Sequence, residues 1–258
     1  MKKTAFSSSK FQKEFYDKLG QRKEKNRGLF SCGYEERYAP GLIVNNEHAY
    51  NLFKDLFSSF LEKNKNGIVL DLCTGSGIHL PLLSQFSGTT IGADLSLGLL
   101  KRAQEIKREL RLDNVLLFQA QAESIPLKDN VCDAVIIIDA IHHVENQKRV
   151  MEELKRVSKN YTPVLLIEPN ISNPLVFLAH RIPKEERGAL RLNTAKGLSH
   201  LLSSYFDEVQ VKPLNYIASR KSNFLGCAIS RSIEWFFEWI FFFWPIRLII
   251  QGNFCKKS

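Results

Sequence analysis

Asp71 and Asp94 each close a short apolar run, and the small-residue stretch Cys73-Thr74-Gly75-Ser76-Gly77 lies between them. The first run, Ile68-Val69-Leu70, and the second, Thr89-Thr90-Ile91-Gly92-Ala93, have the length and composition of buried parallel strands. Gly75 and Gly77 permit a tight turn and a close approach of backbone to a ligand. A carboxylate beside such a turn suits a ligand with positive charge or hydrogen-bond donors, and it repels a pyrophosphate. Leu80 stands where a dinucleotide fingerprint would carry its third glycine, which weighs against that cofactor class. Asp94 follows Asp71 by 23 residues, the interval at which a second strand offers a carboxylate to a ribose diol. A vicinal diol supplies two O–H donors that one carboxylate accepts. The plainer roles are a glycine turn that binds nothing and an acid that caps the helix starting near Ser96.

Two further stretches carry polar groups at the ends of apolar runs. The loop Gln121-Ala122-Glu123-Ser124-Ile125-Pro126 follows a strand over 114–118. A nearly uninterrupted apolar run over 131–138 predicts a central strand, which ends in Asp139-Ala140-Ile141-His142-His143. Histidine exchanges protons near neutral pH, so His142 or His143 is a candidate general base. Adjacent histidines do not point the same way, and the structural alternative gives one the cap of the helix over 145–158 and the other the loop. The elements that position these residues alternate along the chain. Helices are expected over 45–61, 78–85, 99–110, 145–158 and 194–204, and further strands over 162–168, 208–214 and 248–255.

Taken in order, these motifs resemble the class I S-adenosylmethionine-dependent methyltransferases, in the small-molecule branch that holds the ubiquinone/menaquinone C-methyltransferases. Cys73 stands at the family's first motif glycine, and Gln121 replaces the acid of its adenine-binding loop. The resemblance implies an α/β fold: a doubly wound, Rossmann-like seven-stranded sheet, mostly parallel with an antiparallel last strand, and helices on both faces. It implies S-adenosyl-L-methionine as cofactor, held by Asp71, Cys73, Thr74, Gly75, Ser76, Gly77, Asp94, Leu95, Gln121, Ala122, Glu123 and Asp139, with His142 or His143 as the catalytic base. It also implies an acceptor pocket built by the insertion over 171–193, where Arg181, Arg187 and Arg191 would suit an anionic acceptor. No metal is expected: the six histidines show no metal-binding spacing, and a sulfonium carries its own leaving group.

Composition bounds the remaining choices. Lys and Arg number 36 against 27 Asp and Glu, a net charge of +9, which admits nucleic acid or an anionic membrane as partner. Much of the excess lies within residues 1–27, which read as a solvated arm. A nucleic-acid amino-methyltransferase would show Asn/Asp-Pro-Pro-Tyr where this chain has Asp139-Ala140-Ile141-His142, which argues against base modification. Five scattered cysteines without a CxxC pair, and no apolar run after Met1-Lys2-Lys3, point to reduced thiols in the cytoplasm. Residues 231–250 are dense in Trp and Phe but are interrupted by Glu234, Glu238, Pro245 and Arg247, so they do not read as a transmembrane span. Arg231, Glu234 and Glu238 fall on one helical face, with Trp235, Trp239, Phe242 and Phe243 opposite, a pattern that suits either peripheral membrane contact or a core helix.

The expected organisation is a basic arm and lid over 1–44, the methyltransferase domain over 45–220, and an aromatic-rich helix with a final strand over 221–258. The expected activity is methyl transfer to a small-molecule or lipid-like acceptor. The alternatives are an RNA methyltransferase and a non-catalytic, membrane-bound relative of the fold.

Overall fold

Strand β1 (Ile68–Leu72) sits inside a sheet ordered β3-β2-β1-β4-β5-β7-β6, and the rest of the chain is arranged around it. This computed structural model describes residues 9–21, 47–180, 193–215, 232, 235–236 and 245–255. The other strands are β2 (Thr89–Asp94), β3 (Val115–Gln119), β4 (Ala134–Ile138), β5 (Pro163–Pro169), β6 (Gln210–Leu214) and β7 (Arg247–Asn253). Strands β1 to β5 pair in parallel, whereas β7 runs antiparallel between β5 and β6. The seven-stranded sheet with an antiparallel last strand is as expected. Strand order reverses on either side of β1, so the crevice beyond its carboxyl end lies at a topological switch point.

Alternation along the strands assigns the two faces. Leu70, Leu72, Val135, Ile137, Val164 and Leu166 turn toward Val150, Met151 and Leu154 of α5 (Gln147–Val157) and Leu198 and Leu202 of α7 (Ala195–Leu202). Val69, Ala134, Ile136, Leu165 and Ile167 face Phe53 and Phe57 of α2 (Glu47–Phe60) and Leu82 and Leu83 of α3 (Leu80–Leu83). Adjacent residues on opposite faces are the period-two signature of strands buried on both sides.

Several boundaries differ from the sequence pattern. The helix expected over 78–85 shrinks to α3, with Pro81 in its first turn. The side chains of Ser84 and Gln85 donate to the Pro81 carbonyl and Ser87 to that of Leu83, and such local bonds compete with helix propagation. The strand expected from 131 starts at Ala134, because the N–H groups of Val131 and Cys132 donate to Val157 at the end of α5. Asn146, and neither histidine, caps α5, its side chain accepting from Arg149 N–H.

Residues read as part of a solvated arm form α1 (Ser9–Gln21), which packs on α4 (Leu97–Glu109). A Cβ built on Gly20 would lie 2.3 Å from the Gly98 carbonyl carbon, so the two backbones touch. Asp17 accepts from Gly98 N–H at 2.9 Å and Ser96 Oγ at 2.8 Å, placing negative charge at the start of α4. Arg102 answers from α4 by donating to the Gly20 carbonyl. Of the C-terminal aromatic segment, Trp235 and Phe236 are described and exposed, whereas Trp239, Phe242 and Phe243 lie outside the described residues, as do Arg181, Arg187 and Arg191.

Candidate active site

Asp71 and Asp94 end up at the same edge of the sheet because β1 and β2 pair in parallel with Asp71 opposite Gly92. The turn between them is tied to both. Thr74 N–H donates to the Ala93 carbonyl at 3.0 Å, and Thr74 Oγ1 donates to Asp71 at 2.5 Å. Gly75 N–H donates to Asp94 Oδ2 at 2.8 Å, and Ser96 N–H to Oδ1 at the same distance. Asp94 therefore spends part of its acceptor capacity on the backbone, with Leu95 N–H also facing it, and keeps the rest for a ligand hydroxyl. The helix-cap role coexists with this: Ser96 caps α4 by accepting from Leu99 N–H, and Asp94 braces Ser96.

The turn needs left-handed backbone. Gly75 has φ 58° and Gly77 φ 76°, where glycine is unstrained. Cys73 has φ 61°, so the residue that replaces the resembled family's glycine still adopts a glycine conformation, at a cost of about 1 kcal/mol. Burial drives the Cys73 thiol well above its ordinary range, and Asp94, Asp71, Glu123 and Glu168 add to the effect. Its thiolate form is disfavoured in this acidic crevice. Burial also lifts Asp71 to about 7, with the Thr74 bond opposing and the Asp94 charge reinforcing the shift. Asp94 rises to about 6, again chiefly by burial, offset by the N–H groups of Ser96 and Gly75. Thus a chain of net charge +9 presents carboxylates at this edge.

Of the adenine-loop residues, Ala122 is buried and Gln121 is exposed, bridging to Ser124. Glu123 accepts from the N–H groups of Glu145 and Asn146, which ties this loop to the start of α5. Leu95 is half-buried, its carbonyl taken by Gln119. Asp139, with φ 52°, pairs with Arg247 at the start of β7. His142 and His143 lie in a 3-10 turn, Ile141–His143, with ring centroids 4.0 Å apart. The expectation that they point apart is corrected: their rings pack together, but their partners differ. His142 is buried against Glu168, and His143 meets Tyr16 of α1, whose hydroxyl is 3.2 Å from Nε2. His79, packed at an angle to Phe53 and edge-on to Phe57, is pushed down to about 4 by burial and is neutral at pH 7.

Sequence patterns had not marked Glu168, Asn193, Arg247, Tyr16 or Asp17. The signal available for Glu168 was an acid inside an otherwise apolar strand, Pro163 to Pro169. Among the described residues, no group of three or more His, Cys, Asp or Glu is placed to hold a metal ion, and no helix is long and apolar enough to cross a membrane.

Residues 70–162 match the methyltransferase domain family. The chain is 32% identical over 119 residues to the ubiquinone/menaquinone biosynthesis C-methyltransferase of Syntrophotalea carbinolica, covering 45% of this chain and 49% of that protein. It is 31% identical over 117 residues to the demethylmenaquinone methyltransferase of Porphyromonas gingivalis, covering 42% and 45%. The matches span about half the length of these curated relatives. Among solved structures, a SAM-dependent methyltransferase from Aquifex aeolicus shares the fold with a TM-score of 0.55 and 18% identity, over 83% of this chain and 98% of that one. Residues 70–162 therefore match a methyltransferase domain, on a fold shared with a methyltransferase that depends on S-adenosylmethionine as cofactor.

The residues present fit that cofactor. Asp94 retains acceptor capacity for a diol, the carboxylates suit a sulfonium, and Ser76 Oγ is buried in the glycine turn with no hydrogen-bond partner among the described residues.

Proposed function

We propose that this chain transfers a methyl group from S-adenosylmethionine to a small-molecule or lipid-like acceptor, of the quinone type for which its relatives are named. The observation that carries the reading is the clasp of Asp71 and Asp94 around one glycine turn at neighbouring strand ends. In this reading Asp94 accepts the ribose hydroxyls, the backbone beside Ala122 meets the adenine edge, and Asp71 holds the turn in shape through Thr74. The sulfonium supplies an activated methyl and its own leaving group. What the chain adds is alignment of acceptor and methyl, exclusion of water and removal of the acceptor's proton. In this reading His142, at the crevice end of β4, takes on that last task.

A lipid-like acceptor gains support from the rim of the crevice. Strand β7 begins there, since Arg247 pairs with Pro169 at the end of β5. Pro245 and Ile246 are anchored at the same rim, each accepting from Asn170. The aromatic stretch that precedes them in sequence is therefore joined to the sheet at the reactive edge. Leu175, Phe177 and Leu178 of α6 (Pro174–Ala179), the helix that follows β5, are exposed. Membrane or lipid contact through 231–250 belongs to this proposal, as does a cytoplasmic site of action.

Mass spectrometry of lipids and metabolites from cells with and without the gene tests the reading. A product heavier than its precursor by one methylene should vanish, and the precursor should accumulate. No such pair, together with no calorimetric binding of S-adenosylmethionine by the purified chain, refutes it.

A further inference from the structure

Glu168 is the penultimate residue of β5 and is completely buried, with no lysine or arginine bonded to it among the described residues. Its Oε1 accepts from Ala140 N–H at 2.9 Å and Ile141 N–H at 2.8 Å. Its Oε2 lies 2.5 Å from His142 Nδ1 and accepts from Asn193 Nδ2 at 2.8 Å. A carboxylate has about four lone-pair sites and no donor, so the three N–H donors and a donating ring nitrogen together fill it. Two of them are backbone groups at the start of the turn that carries both histidines. One carboxylate thus holds the turn and the ring together. Because an ionised carboxylate only accepts, the nitrogen facing it must be the one that carries hydrogen.

We propose that Glu168 is a positioning residue for methyl transfer: it locks His142 in the Nδ1–H tautomer and so leaves Nε2 as the nitrogen that takes the acceptor's proton, with Asn193 steadying the second carboxylate oxygen. The inference rests on the methyl-transfer reading above and adds which histidine acts and what orients it. In the step, the acceptor's O–H or C–H bond breaks and its proton goes to Nε2. The freed electron pair forms the bond to the methyl carbon, and the carbon–sulfur pair stays on sulfur. The imidazolium that results faces a carboxylate, so the new charge is paired as it forms. Asn193 ties this arrangement to the segment read as the acceptor pocket. Its carbonyl accepts from Ile171 N–H at 2.9 Å, which draws the two ends of the 171–193 stretch together beside Glu168. A purely structural Glu168 needs the two backbone donors, not a histidine ring and an amide on its other oxygen.

The test is the two-bond proton–nitrogen correlation of the histidine rings in the full-length chain labelled with nitrogen-15. His142 in the wild-type protein should show a protonated Nδ1 and a bare Nε2, a readout that requires no variant and no acceptor. In Glu168→Gln, the side-chain carbonyl can keep the two backbone donors while its NH2 faces Nδ1, so the ring should invert to Nε2–H. A dispersed backbone spectrum verifies that this variant folds. Asn193→Ala, which keeps the carboxylate, should retain Nδ1–H. A wild-type His142 protonated at Nε2, or no inversion in folded Glu168→Gln, overturns the proposal and leaves methyl transfer standing. No calorimetric binding of S-adenosylmethionine overturns the function reading, and this inference with it, whatever the tautomer.

Discussion

Acidification from pH 7 to pH 5 should stabilise the free protein and weaken its hold on the cofactor. Burial places Asp71 at about 7 and Asp94 at about 6, while both titrate near 3.8 in the unfolded chain. The folded state therefore keeps protons that the unfolded state has released. The associated stability is fully present below 3.8 and is lost as pH rises through the two folded values. Between pH 7 and pH 5 the recovery is about 1 kcal/mol for Asp94 and about 2 kcal/mol for Asp71, or about 3 kcal/mol together. Binding follows the opposite sign, because a ribose diol needs the ionised form of Asp94 as acceptor. The ionised fraction of a group at about 6 falls about tenfold over this range, so Kd should rise about tenfold. Calorimetry with S-adenosylhomocysteine, whose neutral sulfur isolates the diol from the sulfonium charge, measures this beside urea melts of the free protein. Asp94→Asn should weaken binding at pH 7 by about 1–3 kcal/mol and flatten the profile. A flat wild-type Kd between pH 5 and pH 7, or an Asp94→Asn profile with the wild-type slope, refutes the assignment of Asp94 to the diol.

Cys73→Gly should raise stability by about 1 kcal/mol through relief of its left-handed backbone, read as a higher urea midpoint, and a lower midpoint would show that the thiol's packing outweighs the strain. Gly98→Val should undock α1, because a Cβ there meets the Asp17 carbonyl oxygen at 2.6 Å; hydrogen exchange of 9–21 should quicken while the sheet stays protected, and unchanged exchange refutes the contact. Phe57→Ala, at a fully buried position, should cost about 3–5 kcal/mol in a denaturant melt, and a loss under 1 kcal/mol would place the ring outside the core.

The β1–turn–β2 unit was legible because everything that defines it is local. Two apolar runs, two acids and two glycines fall within a short window, and parallel pairing then has only one way to juxtapose Asp71 and Asp94. The site's other half was hidden by distance in sequence. Glu168 reaches His142 across 26 residues because β4 and β5 pair in register up to Ile138 and Ile167. Arg247 reaches Asp139 across 108 residues because the last strand inserts between β5 and β6. Helix α1 was misread for a different reason. Its residues are mostly charged or polar, and its docking rests on a glycine-to-glycine backbone contact and an acid at a distant helix start, neither of which alters the hydrophobic pattern.

Helix α1 touches both banks of the crevice. Asp17 grips the start of α4, beyond β2; its neighbour Tyr16 reaches His143, and Ser9 at the start of the helix reaches Glu145, beyond β4. Between those banks lies the glycine turn of β1, so one short helix bridges the place where nucleoside and reacting group would meet. Exchange of spent for fresh nucleoside should then be coupled to loosening of that bridge. Nucleoside off-rates should climb in Gly98→Val together with the exchange of α1 amides, and an off-rate indifferent to the helix would mean that traffic takes another route.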